Sequence, residues 1–214
     1  KDCGDFSSYV HSESDTPLFL LGHSLGTQMA QYVICHCDSS LYSGVILTGC
    51  PYIHDTKSLL SDIEAEISEK GADAPSMDVF LKLFGKVAEP FHEKCTVSWV
   101  TSDLERALYY EALPYTNKMY SCRFYRSFLQ LASEVQRKDY LKNVSPKPPV
   151  LLMSGTQDMV GDKGAYAKEK AGLLIENGFD VRLEIFDGMR HSILQEVQRE
   201  NVYRLIYEFI RENI

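Results

Sequence analysis

The chain has 214 residues, 44% hydrophobic and 24% charged, with 22 basic and 30 acidic residues and a formal net charge of −8. A chain of that size and balance is expected to form one globular domain, or one domain with an insertion, around a sizeable core. Basic residues are neither in excess nor clustered, which excludes a nucleic-acid surface; no apolar run is long enough to span a membrane, and the opening residues do not read as a secretory leader.

In chain order, residues 2–13 carry Phe6, Tyr9 and Val10 at helical spacing and read as the end of a helix, broken at Thr16-Pro17. Leu18-Phe19-Leu20-Leu21 is a short apolar run that predicts a strand buried on both faces. Gly22-His23-Ser24-Leu25-Gly26 follows, and Leu25, Met29, Ala30, Val33 and Ile34 then recur at helical spacing. Strand, tight turn, helix is the context in which Gly-x-Ser-x-Gly is a nucleophile elbow. Gly22 and Gly26 are both expected for steric reasons, since a side chain beside the strained serine would meet the neighbouring strand or helix. Ser24 would present its hydroxyl at the strand end. The Leu25 amide, at the positive end of the helix dipole, would donate to a developing oxyanion.

Gly44-Val45-Ile46-Leu47-Thr48-Gly49 reads as a second buried strand, and the pair describes a βαβ unit with a parallel sheet. Amphipathic helices are then predicted over 57–70, 76–88 and 118–135, with Trp99 and Tyr109-Tyr110 in a less regular stretch. Residues 52–148 are therefore a helical insertion within a domain covering 1–214. Met77, Phe80, Phe84 and Trp99 contribute to its apolar face, either as its own core or as the wall of a channel. Pro146-Lys147-Pro148-Pro149 closes the insertion. A third strand is predicted over 150–155, a helix over 163–177, a fourth strand over 181–186 and a terminal amphipathic helix over 198–212.

A serine needs a base to take its proton. Of six histidines, His191 follows the fourth strand and is best placed; His54 follows the second strand and is an alternative, and His23 is expected to point away from the active face. The base needs an acid to fix its tautomer. Asp158, just past the third strand, is favoured over Asp162 and Asp187. The order Ser24, Asp158, His191 is that of α/β-hydrolases. Six cysteines stand at positions 3, 35, 37, 50, 95 and 122; Cys35-His36-Cys37 has no second pair to complete a metal site. Free thiols in a reducing cytoplasm are expected, with no metal and no cofactor.

With these motifs the chain resembles the α/β-hydrolases of the monoacylglycerol lipase and lysophospholipase type, often filed as serine aminopeptidase-like. Gly22-His23-Ser24-Leu25-Gly26 is similar to the family's elbow. Ser154-Gly155-Thr156-Gln157-Asp158-Met159-Val160-Gly161 looks like its acid loop, with Met159 where proline is usual. Gly188-Met189-Arg190-His191-Ser192-Ile193-Leu194-Gln195-Glu196 looks like its histidine loop, with Gln195 where asparagine is usual. Ser98-Trp99-Val100-Thr101-Ser102-Asp103 is similar to a segment of bacterial members. The resemblance implies an α/β-hydrolase fold and a serine ester hydrolase acting on lipid-type esters, monoacylglycerol or lysophospholipid, through an acyl-enzyme intermediate, with the 52–148 insertion as a lid whose apolar face would line an acyl channel. Family members carry further strands before the elbow strand, and a His-Gly segment there that gives a second oxyanion donor. This sequence reaches its elbow by residue 24 and opens on Lys1 rather than Met, which implies a longer natural chain. The 214 residues by themselves would leave the edge of the elbow strand open, which favours self-association. A small-peptide aminopeptidase, with Glu105 or Glu111 receiving the substrate amine, and a catalytically silent binding module are the competing readings.

Overall fold

A computed structural model describes residues 2–116 and 118–214; Lys1, on which the expectation of a longer chain partly rested, lies outside them. The described residues form a four-stranded, all-parallel sheet in the order β1 (Leu18–His23), β2 (Tyr42–Thr48), β3 (Val150–Gly155), β4 (Val181–Phe186). Period-two alternation distributes the apolar residues between its faces. Val45, Leu47, Val150 and Leu152 pack on one side with Ala30, Val33 and Ile34 of α2 (Leu25–His36) and Ala167, Ala171 and Leu174 of α7 (Ala165–Glu176). Ile46, Leu151 and Met153 point the other way, onto Val202, Leu205 and Phe209 of α8 (Arg199–Glu212). The result is an α/β/α sandwich, as the near-continuous apolar strands predict.

Three features of this part go beyond the sequence reading, and two of them, at β1 and α5, correct it. First, β1 is not buried on both faces: Leu18, Phe19 and Leu20 are only half-buried and Leu21 is 46% exposed. Among the described strands β1 pairs with β2 alone, so its outer flank lacks a covering neighbour. Second, the helix expected over 2–13 is α1 (Asp2–Glu13), with Phe6 and Tyr9 exposed and Gly4 and Ser7 buried. The Ser7 hydroxyl accepts from Tyr42 at 2.7 Å, and a Cβ on Gly4 would lie 2.4 Å from the Cys37 sulfur, so small residues are the ones that dock the helix. Third, the stretch around Tyr109-Tyr110 is helical: α5 (Leu104–Ala112) starts where the Asp103 carboxylate accepts from the Arg106 amide.

Between β2 and β3 lie α3 (Thr56–Lys70), α4 (Met77–Phe84), α5 and α6 (Cys122–Val135). The only pairing there among the described residues is an isolated bridge, Pro75 to Ser121. Helices α3, α4 and α6 share their own core of Ile63, Val79, Tyr125, Phe128, Leu129 and Ala132. The insertion thus has a core of its own, against which Leu25 of α2 also packs, and its two ends meet at a neck. There Ile53 donates its amide to Gln136 Oε1 and Gln136 Nε2 donates back to the Ile53 carbonyl, both at 3.0 Å. All six cysteines are free thiols, and no helix among the described residues is long and apolar enough to cross a membrane.

Candidate active site

The turn from β1 into α2 holds Ser24 at φ 53°, ψ −122°, a left-handed backbone that a non-glycine residue adopts only under constraint. The constraint is hydrogen bonding around it. The Ser24 amide donates to the Thr48 carbonyl at 3.0 Å, and its carbonyl accepts from the Thr27 amide at 2.8 Å and the Thr27 hydroxyl at 2.7 Å. Gly22 is required: a Cβ there would sit 2.3 Å from the Gly26 carbonyl oxygen. Gly26 is not required in the same sense, because a Cβ on it would meet nothing within 4 Å. The crowding falls on the strand residue, which faces the returning helix, and the helix residue faces open space. Ser24 does not cap α2 with its side chain, so its hydroxyl is left for other chemistry. Leu25 opens the helix, where the first amides lack intrahelical acceptors.

His191 lies in the loop after β4 and is 3% exposed. Its Nδ1 lies 2.9 Å from Asp158 Oδ1. Asp158 is fully buried, and the same Oδ1 also accepts from the amides of Val160 at 3.0 Å and Gly161 at 3.2 Å. With Nδ1–H donating to the carboxylate, Nε2 keeps its lone pair. Asp162 is exposed on the neighbouring turn, and Asp187 accepts from the Thr156 hydroxyl; neither bonds to His191. His54 is exposed beside Tyr52, and His11, His36 and His92 are exposed elsewhere. Ser24 makes no hydrogen bond to His191, but the two are neighbours through β2. The Ser24 amide is tied to Thr48, and a Cβ on Gly49, the next residue, would lie 3.2 Å from the His191 ring.

The expectation that His23 points away is overturned. Its ring centroid is 5.0 Å from that of His191. Its Nδ1 lies 3.2 Å from the Thr48 carbonyl and 3.0 Å from the Thr48 hydroxyl, and its Nε2 lies 3.0 Å from the Ser192 hydroxyl. A carbonyl can only accept, so Nδ1 carries the proton and Ser192 donates to Nε2. Burial, then the nearby His191, lowers the His23 pKa from 6.5 to about 4. Alternation along β1 puts Phe19, Leu21 and His23 on one face, but which side of the sheet that face meets is visible only in the fold, where Phe19 packs edge-on against Phe209 of α8.

Above the site, between the insertion and the histidine loop, lies a cavity of about 1180 Å³. Met77, Phe80, Phe84 and Trp99 all line it, together with His23 and Ser192. Ser24 and His191 are not themselves part of the lining; it includes their chain neighbours, His23 and Ser192. An aromatic row runs down the wall: Phe80 to Phe84 at 5.8 Å, Phe84 to Trp99 at 6.4 Å, and Trp99 to His191 at 5.4 Å between ring centroids. Lys118 is the one charged residue among the described residues of the lining. Glu111 is instead held by the Thr96 amide and hydroxyl, both at 2.6 Å, and Glu105 is exposed on α5.

A family model described as "Serine aminopeptidase, S33" matches residues 1–198. The chain belongs to this family of α/β-hydrolases. Among solved structures, a thermostable carboxyl esterase from Bacillus coagulans in complex with glycerol superposes with a TM-score of 0.86 at 24% identity, over 95% of this chain and 67% of that one. A soluble variant of the monoglyceride lipase of Saccharomyces cerevisiae, in complex with a substrate analogue, gives 0.74 at 21% identity, over 99% and 68%. The monoacylglycerol lipase of Paleococcus ferrophilus gives 0.72 at 15% identity, over 99% and 75%. No curated protein matches the chain. The α/β-hydrolase spans two thirds to three quarters of those solved chains, so part of each has no counterpart here.

Proposed function

We propose that this α/β-hydrolase cleaves carboxylic esters of lipid type, such as monoacylglycerols or lysophospholipids, through an acyl-enzyme intermediate. The observation that carries the reading is the bond from His191 to the fully buried Asp158, one residue across β2 from the strained Ser24 turn. In the mechanism, His191 Nε2 takes the Ser24 proton as the hydroxyl oxygen attacks the acyl carbonyl. The Leu25 amide donates to the oxyanion that forms. His191 then passes the proton to the leaving alcohol, and a water molecule, deprotonated by the same imidazole, releases the acid. Asp158 stays ionised and steadies the imidazolium. The insertion acts as a lid, and the apolar wall beneath it favours an acyl chain.

The aminopeptidase reading is less well supported, because Glu111 is engaged with Thr96 and Glu105 lies outside the cavity lining. The test combines labelling and a substrate series. A fluorophosphonate should label wild type at Ser24 and fail on Ser24→Ala, and that variant should lose ester hydrolysis by several orders of magnitude with little change in stability. Asp158→Asn should be strongly impaired and Asp162→Asn close to wild type. Hydrolysis of acyl esters should improve from acetyl to medium or long chains. Full activity in Ser24→Ala would remove the mechanism, and a preference for free amino-terminal peptides would favour the aminopeptidase.

A further inference from the structure

The histidine loop and the insertion are joined by a buried polar lattice that the chemistry above does not use. At its centre is Glu196, which is 1% exposed. Its carboxylate accepts from the Arg190 amide at 2.7 Å, from the Ser102 amide at 3.1 Å on each oxygen, and from the Ser102 hydroxyl. One carboxylate thus grips the residue before His191 and, across the lattice, the strap of residues 98–103 that carries Trp99. The strap is bonded to the loop on either side as well. The His191 amide donates to the Trp99 carbonyl at 3.5 Å and the Ser192 amide to the Val100 carbonyl at 2.8 Å. The Arg190 guanidinium donates to the Ser98 carbonyl at 2.6 Å, and its other end pairs with Glu93 at 2.6 Å.

Asp158 fixes the tautomer of His191 but holds only one nitrogen, so it leaves the ring a rotation about that bond. The backbone of the loop and the indole of Trp99 set the remaining degrees of freedom. A misplacement of about 1 Å at a reacting group costs on the order of 10² in rate. We propose that Glu196 is a positioning residue for His191, locking strap and loop in register so that Nε2 faces Ser24. This rests on the reading of Ser24, His191 and Asp158 given above. All the groups that Glu196 binds are donors. A glutamine in its place turns an N–H toward one of them, whereas an aspartate keeps both acceptors on a shorter stem.

The experiment is steady-state kinetics on a medium-chain p-nitrophenyl ester, with the rate of fluorophosphonate labelling measured alongside, at a temperature where each variant is folded. Glu196→Gln should lower kcat about 10- to 100-fold with KM within about twofold of wild type, and slow labelling of Ser24 by the same factor. Glu196→Asp should recover a large part of both. Ser102→Ala, at an exposed position, reads the same carboxylate if Glu196→Gln fails to fold, and should lower kcat a fewfold at constant KM. Unchanged kcat in the folded variants, or a rise in KM at constant kcat, overturns the inference. Wild-type protein that does not label at Ser24 overturns the reading of the site instead.

Discussion

His23 is bonded through both ring nitrogens, one to Thr48 and one to Ser192, and stands 5.0 Å from the His191 ring. A second positive charge there would oppose the imidazolium that His191 becomes in the proposed mechanism. Burial keeps His23 neutral, with its pKa lowered from 6.5 to about 4. The sign of the linkage follows: between these values the unfolded chain binds the proton and the folded chain does not. The stabilising difference is complete above pH 6.5 and is lost as pH falls through about 4. Chemical denaturation of wild type and His23→Gln at pH 7 and pH 4.5 should show the wild type losing up to ~3 kcal/mol more than the variant. Equal losses would mean that His23 is solvated in the folded state.

At the scale of the element, the elbow depends on one close approach. β1 and α2 touch where Gly22 faces the Gly26 carbonyl, and an added methyl group at 2.3 Å from backbone forces the two apart. Gly22→Ala should therefore destabilise the fold by at least ~2 kcal/mol. Gly26→Ala should instead be neutral or stabilising by ~0.5–1 kcal/mol, because it lies in α2 with nothing within 4 Å. Thermal melts of the two variants check this, and the reverse ranking would refute the contact. The motif spacing marked both glycines alike; which of them carries the crowding depends on the angle between strand and helix. α5, which buries only Ala107, escaped the periodicity reading. Its Asp103 cap and the spacing of Leu104, Ala107 and Leu108 were both visible in the sequence, but over nine residues they make a short pattern that is easily passed over.

At the scale of the molecule, the insertion is fixed to the sheet domain at the Ile53–Gln136 neck, at the strap held by Glu196 and Arg190, and at Lys170. The Lys170 ammonium, 2% exposed, donates to the carbonyl of Val135, the last residue of α6, at 2.6 Å. A cation at a helix C-terminus is favourable, but burial dominates and lowers the pKa from 10.5 to about 8. Below about pH 8 the folded state carries a buried charge; as pH rises toward 10.5 that cost is relieved, so stability should rise through this window. In urea titrations at pH 7.5 and 10, the wild type should gain up to ~3 kcal/mol relative to Lys170→Met. An identical pH response in the two proteins would place the ammonium in solvent.

The sequence by itself determined the parallel strands, the elbow at Ser24, the helical insertion and the chain order of Ser24, Asp158 and His191, because each of these is a local pattern of apolar period, turn chemistry or motif. From position alone Asp158 was favoured over Asp162; in the fold Asp158 lies 2.9 Å from His191 Nδ1. The tertiary structure decided what depends on contacts between distant segments. These include the half-exposed flank of β1, the outward face of α1 and the turn of His23 toward His191. The clamp of Glu196 on Ser102 is of the same kind, spanning 94 residues of sequence. Periodicity reports which side of an element is apolar; it carries no information on which polar groups meet across the gap between two elements, since hydrogen bonds form between partners that only packing brings within about 3 Å.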